Sequence, residues 1–213
     1  MTVRYPGRSE PAVDAVSAVL HAGERVAIAG PSGAGKTSLL AVLLRLLDPT
    51  DGRLLAGGVE AAAVDPRDWR AQFAWLPQRP RLAAGTLRDA LAAGVPMADR
   101  QLLDAVELAG AGPVVAGLPD GLDTVLGERT PLSAGEIRRL ALARALASDR
   151  PVLVLDEPTT HLNDASAEAV AAAIAGLPRD RLVLFATHDE RLLDVADEVI
   201  DLASPTRELE AVA

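Results

Sequence analysis

The sequence predicts an α/β fold with a mostly parallel sheet, a small antiparallel β part and an inserted helical subdomain. Three observations carry that prediction. Apolar runs at 24–30, 73–76, 151–155 and 181–186 are continuous rather than alternating, the pattern of strands buried on both faces. Segments with helical spacing fall between them, and interleaved strands and helices point to a parallel sheet. From about 86 to 150 the pattern becomes mostly helical, rich in Ala and Leu, with breaks at Gly112-Pro113 and Pro119–Gly121.

In chain order, Glu24–Gly30 reads as a strand, Pro31–Gly35 as a Gly-rich loop, and Thr37 to about Leu47 as a helix that stops before Pro49. Asp51-Gly52 marks a turn, and Arg53–Gly58 follows as a hairpin arm. Phe73–Leu76 is the next strand. After the helical stretch come a strand at Pro151–Leu155, a helix over 165–175 and a strand at Arg181–Ala186. No repeat is present, and no linker except a tail from Ser204. The chain therefore reads as one domain over 1–213. Its α/β core covers about 1–85 and 150–213, around a helical subdomain over about 86–149.

Composition narrows the function. Hydrophobic residues make up 49% of the 213, enough for a sizeable core, while aromatics are only 2%, so Ala, Leu and Val must fill it. The net charge of -9 argues against a nucleic-acid surface. The absence of Cys excludes disulfides, thiolate metal sites and Cys nucleophiles. No apolar stretch reaches the roughly 18–20 residues that span a bilayer, and no leader pattern opens the chain, so a soluble, cytosolic domain is expected. Of 21 basic residues one is Lys, at position 36, and Arg supplies the others. Lys carries a compact point charge that Arg does not mimic.

That lysine stands in Gly30-Pro31-Ser32-Gly33-Ala34-Gly35-Lys36-Thr37, which fits G-x-x-x-x-G-K-[ST] between an expected strand and an expected helix. The glycines let backbone N–H groups wrap a phosphate chain, and the helix start adds partial positive charge. Lys36 would reach the β- and γ-phosphates, and Thr37 would place its hydroxyl on Mg²⁺. In Val152–Pro158 a buried strand ends in two adjacent carboxylates. Asp156 is placed to hold the metal, directly or through water, and Glu157 to orient and deprotonate a water. Leu132-Ser133-Ala134-Gly135-Glu136 precedes a helix. Ser133 with Glu136 is a capping box, and the same helix start is an anion site. Both can hold together.

In this ordered set the chain resembles the nucleotide-binding domain of an ABC ATPase along nearly its whole length. Residues 30–37 match Walker A, with Ser38 beside them; 152–157 match Walker B with its glutamate. Gln78, in Leu76-Pro77-Gln78, matches the Q-loop glutamine. Residues 132–136 match the signature usually written LSGGQ, His161-Leu162-Asn163 the D-loop, and His188 the switch histidine. Tyr5 matches the aromatic that stacks on adenine. The resemblance implies a P-loop NTPase core that binds ATP and Mg²⁺. It implies catalytic roles for Glu157, His188 and Gln78, with Gln78 also joining Thr37 and Asp156 at the metal. It implies contacts from Tyr5, residues 30–38 and a partner's residues 133–136 to the nucleotide.

The implied partners are a second ABC ATPase domain, identical or different, and the transmembrane domains of an exporter, at the cytoplasmic face of the cell membrane. Nucleic acid is not expected. Thr124–Arg129 and Gly85–Leu91 are similar to exporter segments. Val3–Arg8 and Glu157–Leu162 are similar to the bacterial cysteine and glutathione exporters of cytochrome bd assembly. The family's first strand, which precedes the aromatic, is largely missing before Tyr5, so an excised or truncated domain is expected. Ala134 and Glu136 replace Gly and Gln of the signature, and Asn163 replaces the D-loop Asp. Ala134 is compatible only where φ stays negative, and Glu136 adds a charge near an anion site. Three other functions stay open: an importer ATPase, a non-transport ABC ATPase, and a regulatory module that binds ATP without turnover.

Overall fold

A computed structural model describes residues 1–127, 130–160 and 162–203. Glu128, Arg129, His161 and the tail from Ser204 lie outside the described residues, and with them part of the exporter-like segment and the first D-loop position. In chain order the elements are β1 (Arg25–Ala29), α1 (Lys36–Leu43), β2 (Leu55–Ala56), β3 (Val59–Glu60), α2 (Pro66–Arg70), β4 (Phe73–Leu76), β5 (Gly85–Thr86), α3 (Leu87–Ala92), α4 (Asp99–Leu108), α5 (Gly112–Ala116), β6 (Val125–Leu126), α6 (Ala134–Ala147), β7 (Val152–Asp156), α7 (Asp164–Gly176), β8 (Leu182–Ala186), α8 (Glu190–Leu193) and β9 (Glu198–Asp201). They group into two units. The first comprises Met1–Phe73, Arg150–Glu157 and the chain from Pro178 onward; the second comprises Ala74–Asp149 and Pro158–Leu177.

The first unit is built on parallel strands in the order β7-β8-β1-β9. Ile28 and Asp156 both pair with Ala186, so β1, β7 and β8 end together at one edge. Val26, Ala27, Ile28, Leu153, Val154, Leu155 and Phe185 are wholly buried. The expected mostly parallel sheet is therefore present, and the small antiparallel pairs β2–β3 and β5–β6 form as well. Each fully buried aliphatic or aromatic side chain contributes about 1.5–3 kcal/mol of burial energy. Of the few aromatics, Trp69 packs on Phe73 with ring centroids 5.7 Å apart. Its indole N–H donates to the Leu43 carbonyl at 2.8 Å and so closes the last turn of α1.

α1 ends at Leu43, not near Leu47 as the apolar spacing suggests. Arg45 takes φ 51. The Leu46 N–H then bonds the Ala41 carbonyl and the Arg45 N–H the Val42 carbonyl, the hydrogen-bond pair that terminates a helix in a left-handed turn. The expected hairpin forms from β2 and β3, with Gly57 at φ 56 and Gly58 at φ 79. A two-residue turn of this hand needs positive φ at both places.

Strand β9 shows no apolar run in the sequence, because Glu198 and Asp201 bracket Val199 and Ile200. It is anchored at its start by Asp197. That carboxylate pairs with Arg179 and accepts the Arg25 N–H at 2.7 Å. The Arg179 guanidinium first, and the Arg25 amide second, hold Asp197 below the usual carboxylate range. A depressed folded-state value stabilises the fold above the unfolded value, near 3.8, and that contribution drains away as pH falls through the folded value. Asp197→Asn should therefore lower the urea midpoint by a small, constant amount at neutral pH, small because both partners are partly exposed. The difference from wild type should shrink below about pH 4. A difference unchanged between pH 7 and pH 3 would contradict it.

In the second unit α6 packs along α4 and against α3. Leu140, Ala141, Leu142, Ala143, Ala145 and Leu146 are buried, the pattern of a helix covered on most of its circumference. Arg88 joins Asp99 and Asp123, and Thr86 with Asp89 forms a capping box at α3. Gly112-Pro113 opens the short helix α5 rather than interrupting one, since Pro is tolerated in the first helical turn.

Candidate functional site

Gly35 is the N-cap of α1, and its backbone at φ 97 has no side chain with which to cap the first amides. Thr86, Ser133, Asn163 and Asp189 do cap their helices. The first N–H groups of α1 are thus available to an external acceptor. A Cβ at position 35 would lie 1.8 Å from the Ala12 carbonyl oxygen, so the main chain of Ala12 and the side chain of Val13 seal the loop from behind. This is a reason for Gly35 beyond the phosphate motif, and no local signal in the sequence points to Ala12.

Lys36 is nearly buried. Its Nζ donates to the carbonyls of Gly30 at 2.7 Å and Pro31 at 3.2 Å and lies 3.5 Å from Glu157 Oε1. The other carboxylate oxygen, Glu157 Oε2, is 2.9 Å from His188 Nδ1. Glu157 thus stands between the lysine of one motif and the histidine that follows β8. It reaches that place because it leaves β7 with φ 53, a region that costs a non-glycine residue about 1–3 kcal/mol, while its N–H bonds the Ala186 carbonyl at 2.9 Å. The His188 side chain is 70% exposed, against 10% for Glu157, so the histidine is the solvent-facing member.

The Thr37 hydroxyl donates to Asp156 Oδ2 at 3.0 Å, and Asp156 is 1% exposed. A hydroxyl and a carboxylate at this spacing are hard oxygen donors. Mg²⁺ is held by one or two carboxylates together with substrate phosphates rather than by an all-protein cage. Among the described residues no group of three or more His, Cys, Asp or Glu could hold a metal alone. The donor set fits Mg²⁺ that arrives with a phosphate ligand. Tyr5, 37% exposed, hydrogen-bonds through its hydroxyl to Ser38 Oγ at 3.1 Å, which places the ring beside the loop. Residues 30–38, Tyr5, Asp156, Glu157 and His188 are all brought together in the first unit.

Gln78, Ser133–Glu136 and Asn163 belong to the second unit. Gln78 is exposed after β4, and its carbonyl accepts from Arg138 Nη1 at 2.9 Å. Ser133 caps α6. Glu136 Oε2 takes both the Ser133 N–H and the Ser133 hydroxyl at 2.7 Å, so the amide and then the hydroxyl hold the Glu136 carboxyl below its usual range. Ala134 and Gly135 open α6 in helical conformation, and Ala134 needs no positive φ. Asn163 Oδ1 accepts the Ser166 N–H at 2.8 Å, which makes it the cap of α7. Arg138 is the site neighbour that the motifs did not reveal; it is one of three arginines on α6, and nothing local in the sequence sets it apart.

The ABC transporter family model matches residues 13–160. The chain is 41% identical over 198 residues to a mycobactin import ATP-binding/permease protein, IrtB, of Mycobacterium tuberculosis, covering 92% of this chain and 34% of that protein. It is 37% identical over 198 residues to an ATP-dependent lipid A-core flippase of Chromobacterium violaceum, with the same coverages of 92% and 34%. Among solved structures, a bacterial Atm1-family ABC exporter with ATP bound superposes with a TM-score of 0.83 at 31% identity, over 94% of this chain and 35% of that one. The chain thus spans about a third of the length of the curated relatives it matches.

Proposed function

The chain belongs to the ABC transporter family, and from that premise we propose that it binds and hydrolyses ATP as the nucleotide-binding domain of an exporter. The observation that carries the proposal is the group formed by Lys36, Glu157 and His188 beside the uncapped start of α1. That start accepts the phosphate chain. Lys36 exchanges its carbonyl and carboxylate partners for β- and γ-phosphate oxygens. Glu157 takes a proton from the attacking water, and His188 orients that carboxylate and approaches the γ-phosphate. Thr37, Asp156 and, by the family pattern, Gln78 would hold Mg²⁺, which neutralises phosphate charge as the bond breaks. Tyr5 supports the adenine by stacking.

We propose further that the site is completed by residues 133–136 of a second ABC ATPase domain, and that membrane domains at the cytoplasmic face receive the motion through Gln78 and residues 124–129. The core over 1–85 and 150–213 and the helical part over 86–149 are the working parts of that cycle. For cargo, the resemblance at Val3–Arg8 and Glu157–Leu162 supports thiols of the cysteine and glutathione kind. The relatives carry mycobactin and lipid A-core in their names, so cargo needs its own assay.

One observation favours a second function, a nucleotide-binding module without turnover. Both polar donors of Ser133 are taken by Glu136, which places an anion where a partner's phosphate would dock. ATPase rate against protein concentration separates the two. Specific activity that rises with concentration supports a composite site of two chains. ATP binding without hydrolysis at any concentration means either that a different partner supplies the working signature or that this domain is the module.

A further inference from the structure

We infer that Arg138 is a positioning residue that fixes the loop carrying Gln78, and that Arg144 fixes the far end of the same loop. This rests on the assignment of Gln78 proposed above. Both arginines lie on α6, whose cap is Ser133, so the loop and the signature segment are held by one helix.

Arg138 Nη1 donates to the Gln78 carbonyl at 2.9 Å, and Arg144 Nη1 to the Arg81 carbonyl at 3.0 Å. The spacing is matched. Six residues along a helix advance about 9 Å, and three residues of extended chain cover about 10 Å. The loop therefore runs alongside α6, one arginine at each end. Pro77 and Pro80 take two amide donors out of this stretch and fix two φ angles. No backbone–backbone hydrogen bond among the described residues involves Gln78 to Arg81. The stiffness of the loop thus comes from its prolines and its position from α6.

Burying a guanidinium is costly unless hydrogen bonds offset the lost hydration. Arg138 is 6% exposed, and burial pulls Arg144 below the ordinary arginine value. An apolar side chain would fill either place at lower cost, so placement of the loop, rather than stability, is what the charge supplies. Because the bond goes to the main-chain carbonyl, the Gln78 side chain stays free to act.

The test is Arg138→Met and Arg138→Lys in the whole chain, with Gln78→Ala in parallel. For Arg138→Met, a nitroxide carried on Arg79→Cys, the single thiol in a chain without Cys, should gain mobility while the amides of the core strands keep their exchange protection. The ATPase kcat should fall about tenfold, with KM for ATP within about twofold, because the loss of one charged hydrogen bond is felt in placement rather than in binding. The Mg²⁺ concentration for half-maximal rate should rise. Arg138→Lys, which keeps a donor, should recover part of the rate. Label mobility in the loop that stays unchanged, or that rises only together with loss of amide protection through the whole second unit and a lower Tm, overturns the inference. If Gln78→Ala alters neither rate nor Mg²⁺ dependence, the assignment of Gln78 fails. The brace is then decided by label mobility alone: a local rise supports it, and its absence overturns it.

Discussion

Glu157→Gln should bind ATP with wild-type affinity and hydrolyse it about 10²–10⁴-fold more slowly, the range associated with losing a positioned general base. Gln has the shape of Glu and keeps an oxygen that can face Lys36, so the loop around Gly30 and Pro31 should hold its geometry. What disappears is the group that takes a proton. Both oxygens of Glu157 are already in use, one 3.5 Å from Lys36 Nζ and one 2.9 Å from His188 Nδ1. Neutralising the side chain removes the competitor for Lys36, so affinity for ATP should hold or tighten while turnover collapses. Single-turnover hydrolysis and equilibrium binding of ATP, measured on the same preparation, read the two effects separately. A loss of rate smaller than about tenfold would mean that the proton goes elsewhere. A parallel loss of affinity would mean that Glu157 supports the loop rather than the chemistry.

How much of this was legible follows from where each contact comes from. The loop at 30–37 is local: strand, glycines, lysine and helix are consecutive, and the sequence displays them together. Asp156 and Glu157 are legible for the same reason, as the polar end of an apolar run. Their meeting with His188 is not local. It depends on the register that sets Ile28 and Asp156 opposite Ala186, and no spacing rule gives a sheet order. Family resemblance gave His188 its place, and the geometry puts its imidazole on Glu157. The early end of α1 was hidden because Arg45, not Gly, takes the left-handed turn. β5 and β6 are two residues each, too short for any period to appear. Arg138 and Gln78 are 60 residues apart, and a side chain bonding to a main-chain carbonyl leaves no constraint on the residue type at the other end.

Lys36→Met should weaken ATP binding by about 10²-fold or more, since hydrogen bonds to charged groups contribute about 1.5–3 kcal/mol each and Lys36 brings more than one donor. Met is close in length and apolar, so it can lie along the path of the lysine stem, and Glu157 keeps His188 as its partner. Lys36→Arg should not restore the affinity. Nζ sits 2.7 Å from the Gly30 carbonyl and 3.2 Å from that of Pro31, a pocket sized for a point charge, and a planar fork demands more room. That contrast separates charge from geometry: if charge alone mattered, Arg would serve, and this sequence uses Arg at every other basic position. The solitary lysine also gives a direct readout. Its ε-amine is the chain's only one, so slow acylation at position 36, followed by mass spectrometry, reports on the site without interference from other lysines. ATP should protect it in the wild type. Equal acylation with and without saturating ATP, or an affinity in Lys36→Met within about threefold of wild type, would show that the phosphates do not lie on Lys36.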